Sequence, residues 1–78
     1  TNPFIDRLIV NFMVASPEPV QINIYNALGQ VLISNRLKNV NEGTLSSTVF
    51  DTKNLPGGIY LVEIIQGVNR RCEFAIRE

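Results

Sequence analysis

Apolar and polar residues alternate along most of this chain, and turn-forming residues separate the alternating segments. From Val20 to Tyr25, for example, valine and isoleucine occupy every second position, with glutamine, asparagine and tyrosine between them. Successive side chains of an extended strand point to opposite faces, so this pattern indicates a strand with one buried face. No segment shows a convincing helical period. The chain is therefore expected to fold from β-strands alone.

The alternation predicts about six or seven short strands. The first is expected at residues 7 to about 14, with Phe4, Leu8, Val10 and Phe12 sharing one face. Others are expected at residues 20–25, 31–36 and 44–50, after Tyr60, and at the end of the chain. For residues 44–50 the inward face stays open, because Leu45, Ser47 and Val49 lie opposite Thr48 and Phe50.

The last strand alternates apolar residues with mostly charged ones. Cys72, Phe74 and Ile76 have one parity, and the intervening residues are Arg71, Glu73, Ala75 and Arg77. We therefore expect Cys72 to be a buried, unreactive thiol.

Turn signals separate these strands. The segment 15–19 contains two prolines, which remove backbone donors, so it ends the first strand. Asn26 is expected to cap a tight turn through its side-chain oxygen, and Gly29 to supply a positive φ. The polar segment 37–43 is interpreted as a loop, and residues 66–69 as a further turn.

The segment Leu55-Pro56-Gly57-Gly58-Ile59-Tyr60 is the most specific local signal. Leu55 can close one end of a sandwich, Pro56 presets the turn, and Gly58 frees the backbone before Tyr60 begins a strand. This arrangement resembles the tyrosine corner of immunoglobulin-like sandwiches, in which the phenol caps nearby backbone. We expect a small immunoglobulin-like antiparallel β-sandwich that forms a single domain over residues 1–78.

Composition narrows the possible functions. The 78 residues carry seven basic and seven acidic side chains, so the zero net charge gives no support for a nucleic-acid partner. No apolar run reaches the length of a membrane helix, and the first residues do not resemble a signal peptide. A single cysteine cannot form an internal disulfide.

Few residues suggest chemistry. Without histidine, and with one cysteine, the chain cannot assemble the usual zinc sites or histidine-based catalytic groups. Gly29, Gly57 and Gly58 are interpreted as turn residues, since no helix follows them to bind phosphate. The carboxylates are expected to be solvated, although the fold could still pair two of them; they are Asp6, Glu18, Glu42, Asp51, Glu63, Glu73 and Glu78. We expect no catalytic residues, metal or cofactor, and no enzymatic activity.

Three further features are compatible with a binding function. Arg70, Arg71 and Arg77 either dock an acidic partner or form the wet face of a strand. Tyr25 and Tyr60 form either a sugar-binding platform or part of the packing. Exposed edge strands allow the isolated domain to self-associate.

Three motifs, in order, are similar to one bacterial family, the type A C-terminal sorting domain of the type IX (Por) secretion system. The opening motif is Asn2-Pro3-Phe4, followed by Leu8 and Val10. The middle motif is a valine-isoleucine strand, the Asn26-x-x-Gly29 turn and the next strand. The third motif comprises Leu55, Pro56, Gly58 and Tyr60. Each motif is weak alone, but three in order at the expected intervals are specific.

This resemblance implies a C-terminal secretion and sorting signal. The parent protein would fold in the periplasm, and the type IX translocon and outer-membrane shuttle would recognise its C-terminal sandwich. A sortase would then remove the domain, so that the N-terminal cargo is attached to the cell surface or released. Under this hypothesis Arg70, Arg71 and Arg77 are the candidate receptor contacts.

Two departures and two alternatives accompany this hypothesis. The family commonly ends with lysines, whereas this chain ends with Arg77 and Glu78, and the upstream cleavage site is expected to be missing or truncated here. The first alternative is a carbohydrate-binding or adhesive module of a secreted enzyme. The second is a fibronectin-like structural spacer.

Overall fold

The described residues form seven strands and no helix. The computed structural model describes the backbone of residues 2–4 and, in full, residues 6–14, 16–38 and 41–78. The strands are β1 (Asn2–Phe4), β2 (Arg7–Met13), β3 (Val20–Tyr25), β4 (Val31–Leu37), β5 (Leu45–Asp51), β6 (Gly58–Gln66) and β7 (Asn69–Arg77). The all-β prediction is thus confirmed. The predicted ends of β2 to β5 differ from the observed ones by at most one residue, whereas β6 and β7 each begin two residues earlier than predicted, at Gly58 and Asn69.

The strands form one large and one small sheet. The large sheet has five strands in the order β1-β7-β6-β3-β4, and the small sheet pairs β2 with β5. All the pairs are antiparallel except β1 with β7, which is parallel. The expected sandwich is confirmed, but the parallel β1 strand was not predicted, because three residues are too few to show an alternation.

The buried core lies between the two sheets, as the alternation predicts. Leu8, Val10 and Phe12 of β2 face inward, and Val20, Ile22 and Ile24 of β3 oppose them from the large sheet. The other buried apolar residues are Val14, Phe50, Tyr60, Val62 and Ala75. In β5 the inward face, left open by the sequence, carries Phe50 and the half-buried Thr48. The structure does not describe the side chain of Phe4, so its predicted position is not tested. Ala15 and positions 39–40 of the predicted loop also lie outside the described residues.

The prediction for β7 is wrong. Ala75 is buried, whereas Cys72 and Phe74 are exposed. Ala75 pairs with the inward-facing Tyr60, and Phe74 pairs with Leu61, so the parity that contains Cys72 points away from the core. The inward parity of β7 also includes Arg71, whose Nη2 donates to the Asn11 carbonyl of β2 at 3.1 Å. The prediction assumed that charged residues face away from the core. The two strands β2 and β5 cannot cover the whole five-stranded sheet, so charged residues on the inward parity of β7 still reach solvent at the sheet margin.

Two predicted turns are confirmed in detail. The Asn26 side-chain oxygen accepts hydrogen bonds from the backbone N–H groups of Leu28 and Gln30, both at 3.0 Å, and Gly29 has a φ of 83°. At the second turn, the Tyr60 hydroxyl donates to the Pro56 carbonyl, and Gly58 has a φ of 146°, a value that favours glycine. Leu55 is partly buried against the core. The expected tyrosine corner is therefore present.

We predict that Tyr60→Phe lowers the free energy of unfolding by about 1–2 kcal/mol, because the Pro56 carbonyl loses a partner while the buried ring stays in place. Urea unfolding of the two proteins measures this difference. Ser16→Ala is the control that also removes a hydroxyl group, since the Ser16 Oγ accepts a long, exposed bond of 3.4 Å from the Glu18 N–H. Equal stabilities for Tyr60→Phe and the unchanged chain would contradict this role of the corner.

Candidate recognition surface

The residues of the three sequence motifs serve the fold rather than a reaction centre. Asn26 and Gly29 build the β3–β4 turn, and Leu55, Pro56, Gly58 and Tyr60 build the corner before β6. The opening motif forms β1, in which Asn2 pairs with Ala75 of β7 and Phe4 pairs with Arg77. The three motifs thus lie together at one end of the large sheet, where β3 and β7 end and β6 begins.

The three candidate arginines lie in different surroundings. Arg77 donates from Nε to the Thr52 carbonyl at 3.2 Å and from Nη1 to the Glu78 main-chain oxygen at 3.0 Å. Arg71 bridges to β2 and lies 3.5 Å from a Glu73 carboxylate oxygen. Arg70 points to the opposite face of the same strand, and seven residues of strand separate it from Arg77 by about 23 Å. The structure therefore does not bring the three arginines together in one patch.

Arg70 belongs to a hydrogen-bonded group centred on Glu63. The Arg70 Nε lies 2.5 Å from Glu63 Oε2. Glu63 Oε1 accepts bonds from the Tyr25 hydroxyl at 2.6 Å and from Asn23 Nδ2 at 3.0 Å. Gln21 and Ser34 extend the group by bonding to Asn23 Oδ1 at 3.1 and 2.7 Å.

This group lies on the outer face of the large sheet, the face turned away from β2 and β5. Cross-strand pairing places Asn23 beside Glu63, and Glu63 beside Cys72. Although it is on an outward face, Glu63 is only 5% exposed, because its neighbours cover it. The prediction that all carboxylates are solvated is therefore wrong for Glu63.

Hydrogen bonding keeps the Glu63 carboxylate ionised. The bond from Tyr25 has the largest effect, followed by the bond from Asn23, and together with Arg70 they outweigh the burial and lower the Glu63 pKa to about 2. The same bond raises the Tyr25 pKa, because only the protonated phenol can donate it to the carboxylate. It follows that the group holds its charges across the physiological pH range.

A sequence pattern around Glu63 indicates this hydrogen-bonded group, although the sequence-based predictions did not include it. Residues 59–65 are apolar except for Glu63, and a carboxylate inside such a run requires partners if it is covered. The partners, however, are 38 and 40 residues away in the chain, so only the pairing of β3 with β6 identifies them.

The described part of the chain offers no metal-binding cluster and no surface formed by the two tyrosines. Among those residues, no cluster of three or more histidine, cysteine, aspartate or glutamate side chains could hold a metal ion. Tyr60 is buried, so it cannot form a sugar-binding platform with Tyr25. A cleft of about 290 Å³ lies between β2 and β7, with Val62 and Ala75 in its lining. The described residues include no helix that is long and apolar enough to cross a membrane.

We predict that Glu63→Gln lowers the free energy of unfolding at pH 7 by about 1–3 kcal/mol, because an amide cannot accept from all three donors. It should also change the pH dependence. The folded-state pKa of about 2 lies below the ordinary 4.5. The folded chain therefore binds fewer protons than the unfolded chain between these values, and the stabilisation by Glu63 is present above pH 4.5 and is lost as the pH falls towards 2.

Urea unfolding at several pH values tests both effects. Glu73→Gln is the matched control, because the Glu73 side chain is 51% exposed and has only a long contact with Arg71. Its stability should follow that of the unchanged chain. If Glu63→Gln loses as much stability on acidification as the unchanged chain does, the carboxylate does not have the role described.

Comparison with known proteins agrees with the motifs. No curated protein matches the chain. A family model described as the secretion system C-terminal sorting domain matches residues 2–76, which include all three motifs and all seven strands except Arg77. Members of this family are signals for export by the type IX system, and the family is not an enzymatic one. The chain belongs to the secretion system C-terminal sorting domain family, and its function is that of a C-terminal sorting signal for type IX secretion.

Proposed function

We propose that the export machinery reads the folded sandwich over residues 1–78 as one module, rather than a linear peptide. One observation supports this proposal: the motif residues form turns, the corner and β1, so their roles are structural. Asn26 holds its turn by two backbone hydrogen bonds, and Tyr60 holds the corner. A small module that folds separately can be recognised whatever cargo precedes it.

The proposed route has three steps. The parent protein crosses the inner membrane, and its C-terminal sandwich folds in the periplasm. The translocon and its outer-membrane shuttle then bind the sandwich. A sortase removes it, and the N-terminal cargo is attached to the cell surface or released into the medium.

The candidate contacts with the machinery differ in availability. The guanidinium groups of Arg71 and Arg77 bond to main-chain oxygens of the sandwich, which supports a structural role beside any recognition. Arg70 uses Nε for Glu63, and its side chain is 60% exposed. Of the three, we therefore propose Arg70 as the principal contact.

We predict that residues 1–78, joined by a flexible linker behind a periplasm-targeted fluorescent protein, direct that protein to the cell surface or the medium of a host with an active type IX system. Fluorescence in the cell fractions and in the medium measures the export. A strain that lacks the translocon is the control, and there the fusion should stay in the periplasm. A folded fusion that remains in the periplasm of the competent host would overturn the proposal.

We also predict that Leu55→Ala reduces export in proportion to the fraction of unfolded module. Leu55 is partly buried, so its truncation should cost about 1–3 kcal/mol. Leu28→Ala is the matched control, because Leu28 is 84% exposed. Export and urea unfolding are measured on the same variants. A Leu55→Ala module that is folded but not exported would show that the machinery reads this side chain directly.

A further inference from the structure

A patch on the outer face of the large sheet is apolar and contains one fixed cation. It consists of Ile59 and Leu61 of β6 with Arg70, Cys72, Phe74 and Ile76 of β7. Phe74 is 59% exposed and Ile59 is 54% exposed. Large apolar side chains that cluster on a surface commonly mark an interaction site.

The cation of this patch is held in one orientation. Glu63 is buried below the patch and binds Arg70 Nε, while Tyr25 and Asn23 occupy its other oxygen. Among the described residues, no acceptor bonds to Nη1 or Nη2 of Arg70. A guanidinium fixed through Nε still presents its two terminal nitrogens, which match the two oxygens of a carboxylate.

The hydrogen-bonding groups available at the patch are therefore donors. The Glu63 oxygens are already used, and the described strand residues of the outer face include no exposed carboxylate. Arg36 of β4 is a second exposed cation on this sheet face, but it lies three strands from Arg70 and outside the patch. If a partner covered the patch without supplying an acceptor, the terminal donors of Arg70 would be buried unpaired, which is costly.

We propose that this patch is the docking surface for a protein of the export machinery that presents a carboxylate beside apolar side chains. The carboxylate binds Nη1 and Nη2 of Arg70, and the apolar side chains cover Phe74 and Ile59. Glu63 is a positioning residue, because it acts through Arg70. This inference rests on the proposed function, and names the surface and the chemistry of the partner.

Two other occupants fit the patch less well. A second copy of this chain, related by a two-fold axis, would oppose the same face, which offers Arg70 no exposed carboxylate. An anionic membrane is attracted by about 1 kcal/mol for each surface cation, so Arg70 and Arg36 would give weak binding. A protein carboxylate surrounded by apolar groups satisfies both the donors and the apolar area.

Substitutions in the fluorescent fusion test this surface. We predict that Arg70→Glu lowers export about tenfold, because like charges then meet at the contact. Arg70→Lys, which keeps the charge but loses the planar fork, should have an intermediate effect. Arg36→Glu is the matched charge reversal on the same sheet face, three strands away, and should change export less than about twofold.

The apolar part of the patch has its own pair of variants. Phe74→Ser should reduce export, whereas Val49→Ser should not, although Val49 is 56% exposed on the outer face of the small sheet. Urea unfolding of every variant separates loss of recognition from loss of folding. Both exposed substitutions should leave the free energy of unfolding nearly unchanged.

The possible outcomes are distinct. Failure of the unchanged fusion to be exported would overturn the proposed function and this inference with it. Export of the unchanged fusion, with Arg70→Glu equal to Arg36→Glu, would overturn this inference alone. The isolated domain is also tested for dimer formation and for binding to anionic vesicles. If Arg70→Glu abolishes either association and leaves export unchanged, the patch binds a second copy or a membrane, and the proposal of a protein partner is wrong.

Discussion

The packing of β2 against the centre of the large sheet is the contact on which the rest of this structure depends. Leu8, Val10 and Phe12 enter the core from one side, and Ile22 and Ile24 are fully buried on the other. A chain of 78 residues has little further apolar area to bury. The turn at Asn26 and the corner at Tyr60 position β3 and β6 for this contact, which explains why the family motifs lie there. Under the proposed function, recognition of the module therefore depends on this packing.

Glu63 adds a different constraint on the opposite side of the large sheet. A buried carboxylate is tolerated only when donors surround it, and here Tyr25 and Asn23 of β3 and Arg70 of β7 supply them from the two neighbouring strands. The group therefore ties β3, β6 and β7 together through side chains as well as backbone. It also restricts the guanidinium of Arg70, so that an exposed cation keeps a defined direction. The core thus contributes to stability, whereas the group on the outer face contributes to stability and also orients Arg70.

The unequal sizes of the two sheets explain where sequence reasoning succeeded and where it failed. In β2 and β3, which the opposite sheet covers, the inward residues are the apolar ones, and the alternation identified them correctly. In β7 only Ala75 is buried, while Arg71 extends along the uncovered margin to β2. Charged residues on an inward parity are tolerated there because they reach solvent, so the alternation of β7 favoured the wrong face. Cys72 is exposed because it lies on the outer face of the large sheet, which neither β2 nor β5 covers.

The sequence by itself determined the strands, the turns and the family, because these depend on neighbours in the chain: a period of two, Asn26 with Gly29, and the corner before Tyr60. The tertiary structure decided the parallel pairing of β1, the face of β7 and the partners of Glu63. Those features depend on sheet order and register, which bring together residues that are distant in the chain. Register shifts of a single residue exchange the two faces of a strand, and only the assembled sheets fix that choice.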